Sequence, residues 1–273
     1  MFMISGGNGM KCFNTLSVVN VELTSRCNKK CWMCGRRKIE KNYPELAKWG
    51  DMEFELVTSI ASQLPRGIVV QLHNNGEPTM YPKLYDALQC FKRQVRQFDT
   101  NGKLIVDRAE EIINNLEVIT ISVIENDPEG DEQYEITKQF LDLKGDRKPH
   151  VVYRMLGEVE KRERWEKLPG LIANRTLHSP MGSFQYRKEP TRPEHGICLD
   201  LLTHLVIDRY GKVSPCVRFD PERVGVIGDA NKEKLIDIWN GKERKKWIDA
   251  NMEQRRDKIP LCSKCEFYGI ATG

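Results

Sequence analysis

Apolar and polar residues alternate through Ser17-Val18-Val19-Asn20-Val21-Glu22-Leu23-Thr24, and half of the run is β-branched, so it reads as a strand. Beyond it, stretches with helical period take turns with short apolar runs. The pattern predicts helices over Glu55–Leu64, Tyr81–Arg93 and Leu104–Leu116, and another near Glu132–Leu143. Between them it predicts strands at Ile68–His73, Val95–Thr100, Val118–Ile124 and His150–Met155. Such alternation implies a parallel sheet, open or closed into a barrel, with ligands at the carboxyl ends of its strands. The periodicity then stops. From Pro169 to Ile197 the chain carries four prolines and three glycines, together with His178, Ser179, Phe184, Gln185, Tyr186, Arg187 and His195. A long irregular stretch with this polar content reads as a loop over a binding site, a plain linker being the alternative. After it, Leu202–Asp208 and Lys212–Val217 flank Arg209-Tyr210-Gly211 as a hairpin. A helix follows from about Lys232 to Asn240, with Asp229 or Asn231 as its cap, Gly241 as its stop and Lys242–Lys246 as a solvated basic turn.

The chain has 273 residues, 40% hydrophobic and 30% charged, enough for one large core or two modest ones. Its 43 basic and 39 acidic residues leave a formal charge of +4, a balance that gives little support to a nucleic-acid or membrane partner. No apolar run approaches the roughly 18 residues of a membrane span, and Met1–Met10 lacks a basic segment followed by an apolar one. A cytoplasmic protein is expected. In that reducing setting nine cysteines imply metal or redox chemistry and not a disulfide framework.

The cysteines sort into groups. Cys27, Cys31 and Cys34 form a C-x3-C-x2-C run in the loop after the first strand. Three thiolates at that spacing can hold three irons of a 4Fe–4S cluster and leave the fourth open, or hold zinc with a ligand from elsewhere. Cys198, Cys216, Cys262 and Cys265 make a second set of four, enough to close a 4Fe–4S cluster or one structural zinc site. Cys90 falls on a helix and reads as core; Cys12 reads as inert.

The C-x3-C-x2-C loop, followed after the next strand by Asn74-Asn75-Gly76-Glu77-Pro78, resembles the radical S-adenosylmethionine enzymes. The resemblance implies a partial (β/α)6 TIM-like barrel over 1–168, a connecting loop at 169–197, and a small hairpin-plus-helix module over 198–273. Cys198, Cys216, the Gly225-Val226-Ile227-Gly228-Asp229 turn, Ile236-Asp237-Ile238-Trp239 and the Cys262/Cys265 pair make that module similar to the SPASM or Twitch type. Four cysteines suit the version with a single auxiliary cluster. By the same resemblance Cys27, Cys31 and Cys34 hold an open cluster that binds S-adenosylmethionine. Asn75, Gly76, Glu77 and Pro78 would meet its methionine amino group through carbonyl and carboxylate oxygens, and Asn101 lies in the matching turn after the third strand. Met33, where the family usually has an aromatic residue, would cover the adenine. Ser122 would sit near the ribose and carboxylate, and Arg154 would pair with the carboxylate. His73, Arg154, Tyr186 and Arg187 are catalytic candidates by position.

The implied activity is cleavage of S-adenosylmethionine to a 5′-deoxyadenosyl radical, which takes a hydrogen from a small, carbohydrate-like or sugar-nucleotide substrate in an oxidation or epimerisation. Two 4Fe–4S clusters and an external one-electron reductant such as flavodoxin or ferredoxin are implied with it. Modification of a ribosomally made peptide is the second reading, disfavoured by the short stretch before Cys27; a zinc-binding module without activity is the third.

Overall fold

The computed structural model describes residues 11–175, 177, 197–217, 220, 223–263 and 265. Six strands run parallel: β1 Val18–Val21, β2 Val69–Gln71, β3 Val95–Thr100, β4 Val118–Ile124, β5 His150–Leu156 and β6 Leu171–Arg175. Each joins its sequence neighbour, as in Val18↔Val69, Val69↔Val95, Gln97↔Val118, Val118↔His150 and Val152↔Leu171. Helices fill the crossovers: α1 Arg36–Asn42 and α2 Phe54–Gln63 between β1 and β2, then α3 Leu84–Cys90, α4 Ala109–Ile112, α5 Gly130–Lys144 and α6 Arg162–Trp165. This is the expected partial barrel.

Strand alternation divides the sheet's two faces. Val19, Val21, Val70, Phe98, Ile119, Ile121, Val151 and Tyr153 join the main apolar core, which takes in Leu56, Val57 and Ile60 of α2 and Phe140 of α5. Asn20, Gln71, Gln97, Asp99, Thr120, Ser122 and Arg154 fall on the other face, where Asn20 Nδ2 donates to Gln71 Oε1 at 2.9 Å. A face this polar is a binding surface, unlike the aliphatic filling of a closed barrel.

Four expectations change. Leu171–Arg175, placed in the irregular stretch, is the sixth strand; five residues after Pro169-Gly170 carry too little pattern to be seen without β5 beside them. The helix expected over 104–116 shrinks to α4, because turns occupy the preceding residues and Arg108 Nε donates to the Thr79 carbonyl at 3.1 Å. The helix expected from 232 is α8 Leu235–Trp239, capped at Lys234, while Asp229 lies in strand β9 Gly228–Asp229. Lys242–Lys246 is no free turn: it opens helix α9 Lys242–Met252, which buries Trp247 and Ala250.

The hairpin also belongs to the barrel sheet. After α7 Leu199–Thr203, β7 His204–Ile207 pairs parallel with β1 from Val18↔His204 to Val21↔Ile207. Antiparallel β8 Lys212–Ser214 and β9 complete a nine-stranded sheet in the order β6-β5-β4-β3-β2-β1-β7-β8-β9. The last helix, α10 Pro260–Ser263, carries Cys262. This arrangement sets the cysteine loop after β1 beside the hairpin that leads to Cys216.

Candidate active site

The loop after β1 is tied down on three sides. Before the cysteines, Ser25 N–H donates to the Gly50 carbonyl at 2.8 Å, and Arg26 makes a two-pronged contact with Asp51 at 3.0 and 2.8 Å. Within the run, Lys29 is buried against the Asp127 carboxylate, with Glu129 3.5 Å away, and Trp32 Nε1 donates to the Glu125 carbonyl at 2.9 Å. Asn101 Nδ2 donates to Asn28 Oδ1 at 2.8 Å and lies 3.8 Å from Cys27 Sγ. Cys27, Cys31 and Cys34 thus rest on the turns that follow β3 and β4. Burial and the charges of Cys34 and Cys27 push the Cys31 thiol up to about 12, and burial also raises Cys34. The three cysteines are thus close enough to disfavour one another's thiolates. An all-thiol set suits an iron–sulfur cluster, whose binding would displace the thiol protons.

Asn75-Gly76-Glu77-Pro78 packs backbone against backbone on that loop. Glu77 N–H donates to the Arg26 carbonyl at 2.8 Å, and a Cβ on Gly76 would stand 2.1 Å from the Thr24 oxygen. Only glycine fits there. Glu77 itself requires a correction: its carboxylate is not exposed to an ammonium. It is 2% exposed and accepts from Thr79 N–H and Oγ1, Thr100 Oγ1 and Asn101 N–H at 3.2, 2.7, 2.7 and 2.7 Å. Burial raises its pKa while these bonds oppose the rise. Glu77 therefore clamps the turn after β2 to the turn after β3, and Pro78 begins the short 3-10 turn at Pro78–Met80. Carbonyl oxygens are what the turn has left to offer a ligand's ammonium.

On the polar face, Arg154 of β5 pairs with the Asp99 carboxylate of β3, which also lies 3.4 Å from His73 Nε2. Arg154 was expected to be open to a ligand carboxylate; in the structure Asp99 holds it. Asp99 N–H donates to His73 Nδ1 at 3.0 Å, which puts the imidazole proton on Nε2, and burial lowers the His73 pKa. His73 is thus neutral, with its acceptor nitrogen occupied. Asp99 Oδ1 is buried and accepts no hydrogen bond. Ser122 stands opposite Arg154 in the β4–β5 register, and its carbonyl accepts from Gln133 Nε2 at 2.9 Å. Asp99→Asn removes the charge that compensates Arg154, so it should destabilise the fold by about 3 kcal/mol, read from denaturant unfolding of the metal-free chain.

A cavity of about 350 Å³ runs from Met33, Cys34 and Asn75 to Arg209, Tyr210 and Cys216 of the hairpin. Glu22 is among its lining residues and is buried; its carboxylate accepts from Asn75 N–H at 3.0 Å and Arg209 N–H at 3.1 Å, and burial raises its pKa. It locks β1, the turn after β2 and the hairpin together. Two guanidinium groups approach the Tyr210 ring, Arg209 at 3.8 Å and Arg223 at 4.8 Å from its centre. Lys48, Arg175 and Lys212 add positive charge to the lining. Met33, besides lining the cavity, packs with Cys31 against Ile124, Leu156 and Leu177.

In the second cysteine set, Cys198 caps α7, and Cys262 is pushed up to about 12 by burial and by Cys198 and Cys265. These three are neighbours; Cys216 lies past β8 on the cavity wall. The side chain of the fully buried Asn251 favours the Cys262 thiolate and opposes that rise. Among the described residues no three His, Cys, Asp or Glu side chains close on a single metal ion. Of the two unassigned cysteines, Cys90 packs against the core and Cys12 is exposed.

Tyr186 and Arg187, with His178, Ser179, Phe184, Gln185 and His195, lie outside the described residues. Sequence reasoning passed over Glu22, Lys29, Asp99 and Asn251. Glu22 and Asp99 do carry a signal, as polar residues at alternate positions of strands whose other face is apolar. Nothing local marks Lys29 or Asn251.

Residues 198–266 match the model of the SPASM family, an iron–sulfur cluster-binding domain. Over 92 residues, 32% of this chain and 24% of the relative, the sequence is 32% identical to the tungsten-containing aldehyde ferredoxin oxidoreductase cofactor-modifying protein of Pyrococcus furiosus. Over 259 residues it is 23% identical to the S-adenosyl-L-methionine-dependent 2-deoxy-scyllo-inosamine dehydrogenase of Niallia circulans, covering 94% of this chain and 95% of that one. Among solved structures, BtrN in complex with AdoMet and 2-DOIA is similar with a TM-score of 0.58 at 18% identity, over 92% of each chain. Streptococcus suis SuiB bound to its precursor peptide SuiA gives 0.57 at 15% identity, over 93% of this chain and 72% of that one. No helix among the described residues is long and apolar enough to cross a membrane. The C-x3-C-x2-C loop at the carboxyl end of β1, the shared fold and the SPASM iron–sulfur cluster-binding domain at residues 198–266 together support a radical S-adenosylmethionine enzyme with a SPASM-type cluster module.

Proposed function

We propose that this enzyme takes a hydrogen from a small, polar, carbohydrate-like or sugar-nucleotide substrate, in an oxidation or epimerisation, with one auxiliary 4Fe–4S cluster serving electron transfer. The observation that carries the proposal is a cavity lined by both Cys34 and Cys216 together with charged and hydrogen-bonding residues. When bound at Cys27, Cys31 and Cys34, the open cluster and S-adenosylmethionine supply a 5′-deoxyadenosyl radical on receipt of one electron from a flavodoxin- or ferredoxin-type donor. The protein's share is positioning and water exclusion. The Asn75 and Gly76 turn offers carbonyls to the methionine ammonium, Met33 an apolar cover, and Ser122 a hydroxyl. Arg209, Arg223 and Tyr210 suit the hydroxyls and phosphates of a sugar nucleotide. Cys198, Cys216, Cys262 and Cys265 would close the auxiliary cluster, leaving it no open iron. The aminocyclitol dehydrogenase named above, alike over nearly its whole length, supports the small-molecule reading.

The peptide reading has its own support in the likeness to SuiB, whose structure holds a precursor peptide. Anaerobic turnover of the reconstituted enzyme separates the two. A panel of sugars, aminocyclitols and sugar nucleotides is expected to stimulate 5′-deoxyadenosine release, with deuterium transfer marking the abstracted hydrogen. Stimulation by peptides alone would overturn the substrate claim. Metal analysis is expected to give about eight irons with matching sulfide per chain; stoichiometric zinc without sulfide would sink the cluster reading.

A further inference from the structure

Arg36 follows Cys34 by two residues and is 4% exposed. Its guanidinium carbon lies 4.0 Å from the centre of the Trp49 ring. Nε and Nη1 are both buried and donate to nothing. The neighbouring arginines are provided for: Arg26 pairs with Asp51 and Arg37 with Glu40. Arg36 has no carboxylate partner among the described residues. A guanidinium withdrawn from water without a hydrogen-bonded counter-charge is strongly unfavourable, and stacking on an indole offsets only part of that. A site that keeps such a group is built for an anion.

The anion is close by. Arg36 stands two residues past Cys34, and Trp49, on which its guanidinium rests, lines the same cavity as Cys34. Three thiolates on a 4Fe–4S core carry a net charge of about −1, which becomes about −2 when one electron enters from an external donor. No bond or proton changes hands in that step. A fixed positive charge in a dry setting therefore gains more from the reduced state than from the oxidised one.

We propose that Arg36, held by Trp49, is the counter-charge of the cluster bound by Cys27, Cys31 and Cys34 and sets its reduction potential high enough for an electron to enter. The proposal rests on the iron–sulfur reading of the triplet. The test is a redox titration of the reconstituted holoenzyme followed by electron paramagnetic resonance, after iron and sulfide have been measured. S-adenosylmethionine perturbs the open cluster's signal and so separates it from the auxiliary one, whose potential serves as the internal control. At the wild-type midpoint, Arg36→Gln should lower the ratio of reduced to oxidised open cluster about tenfold, a shift of about 59 mV for one electron. Arg36→Lys should keep most of the wild-type ratio. If Arg36→Gln does not load its clusters, Trp49→Leu, which frees the guanidinium to reach water, should shift the ratio in the same direction by less. An unchanged potential in a loaded Arg36→Gln or Trp49→Leu enzyme, or equal shifts in both clusters, overturns the proposal. Zinc without sulfide in the wild-type protein would instead overturn the iron–sulfur reading itself.

Discussion

Cys31→Ala should abolish 5′-deoxyadenosine formation while leaving the C-terminal cluster in place. Cys31 is the middle sulfur of its loop, buried, and under the influence of both Cys27 and Cys34. With two thiolates left, a 4Fe–4S core lacks the third anchor that keeps one iron open in a fixed direction. Iron should fall from about eight to about four per chain. The remaining cluster should keep its spectrum, because Cys262 on α10 is grouped with Cys198 at the start of α7 and with Cys265, on elements separate from this loop. Serine at the same position, which offers a harder oxygen donor, should lose activity as fully. An active Cys31→Ala enzyme would remove the triplet from the chemistry. Loss of all iron on the single change would show instead that the two sets do not load independently.

Spacing along the chain made the two chemical motifs legible, because a cluster needs its thiolates and a tight turn needs its glycine whatever surrounds them. Strands β3 and β4 were legible for a related reason: Val95–Thr100 and Val118–Ile124 carry β-branched and alternating residues to their ends. What escaped depends on partners distant in sequence. β6 exists because β5 offers it hydrogen bonds, and the hairpin joins the barrel because β7 finds the free edge of β1. Glu77 looked like a ligand group because Gly-Glu-Pro is a turn, and turns are usually wet. Thr100 at the end of β3 and Asn101 in the turn after it enclose its carboxylate and make it a clamp. Arg154 changed in the same way, from a free cation to the partner of Asp99. Residue type and position along a strand say which face a side chain takes; they do not say whether that face has already supplied it with a partner.

Gly76→Ala should lower the rate of S-adenosylmethionine cleavage at least 100-fold, with a milder loss of stability. The added Cβ would stand 2.1 Å from the Thr24 oxygen and 2.8 Å from the Arg26 oxygen, both backbone atoms that cannot turn aside. Ordinary carbon–oxygen contacts lie above about 3 Å, so one of the two segments has to move by about 1 Å. If the Thr24–Arg26 segment yields, Cys27 moves with it, since Arg26 directly precedes that cysteine. If the turn yields, the Glu77 N–H to Arg26 carbonyl bond breaks, and the Glu77 clamp on Thr100 and Asn101 shifts. Asn101 then loses its register with Asn28 and Cys27. Either route misplaces the cysteine loop against the carbonyls that would hold the methionine ammonium, and a misplacement of about 1 Å can cost about 100-fold in rate. The paired residues of β1 and β2, Val18–Asn20 and Val69–Gln71, do not include the clashing ones, so unfolding should remain cooperative and cluster loading should stay measurable. Cleavage within threefold of wild type in Gly76→Ala would mean that the turn after β2 does not position the cofactor.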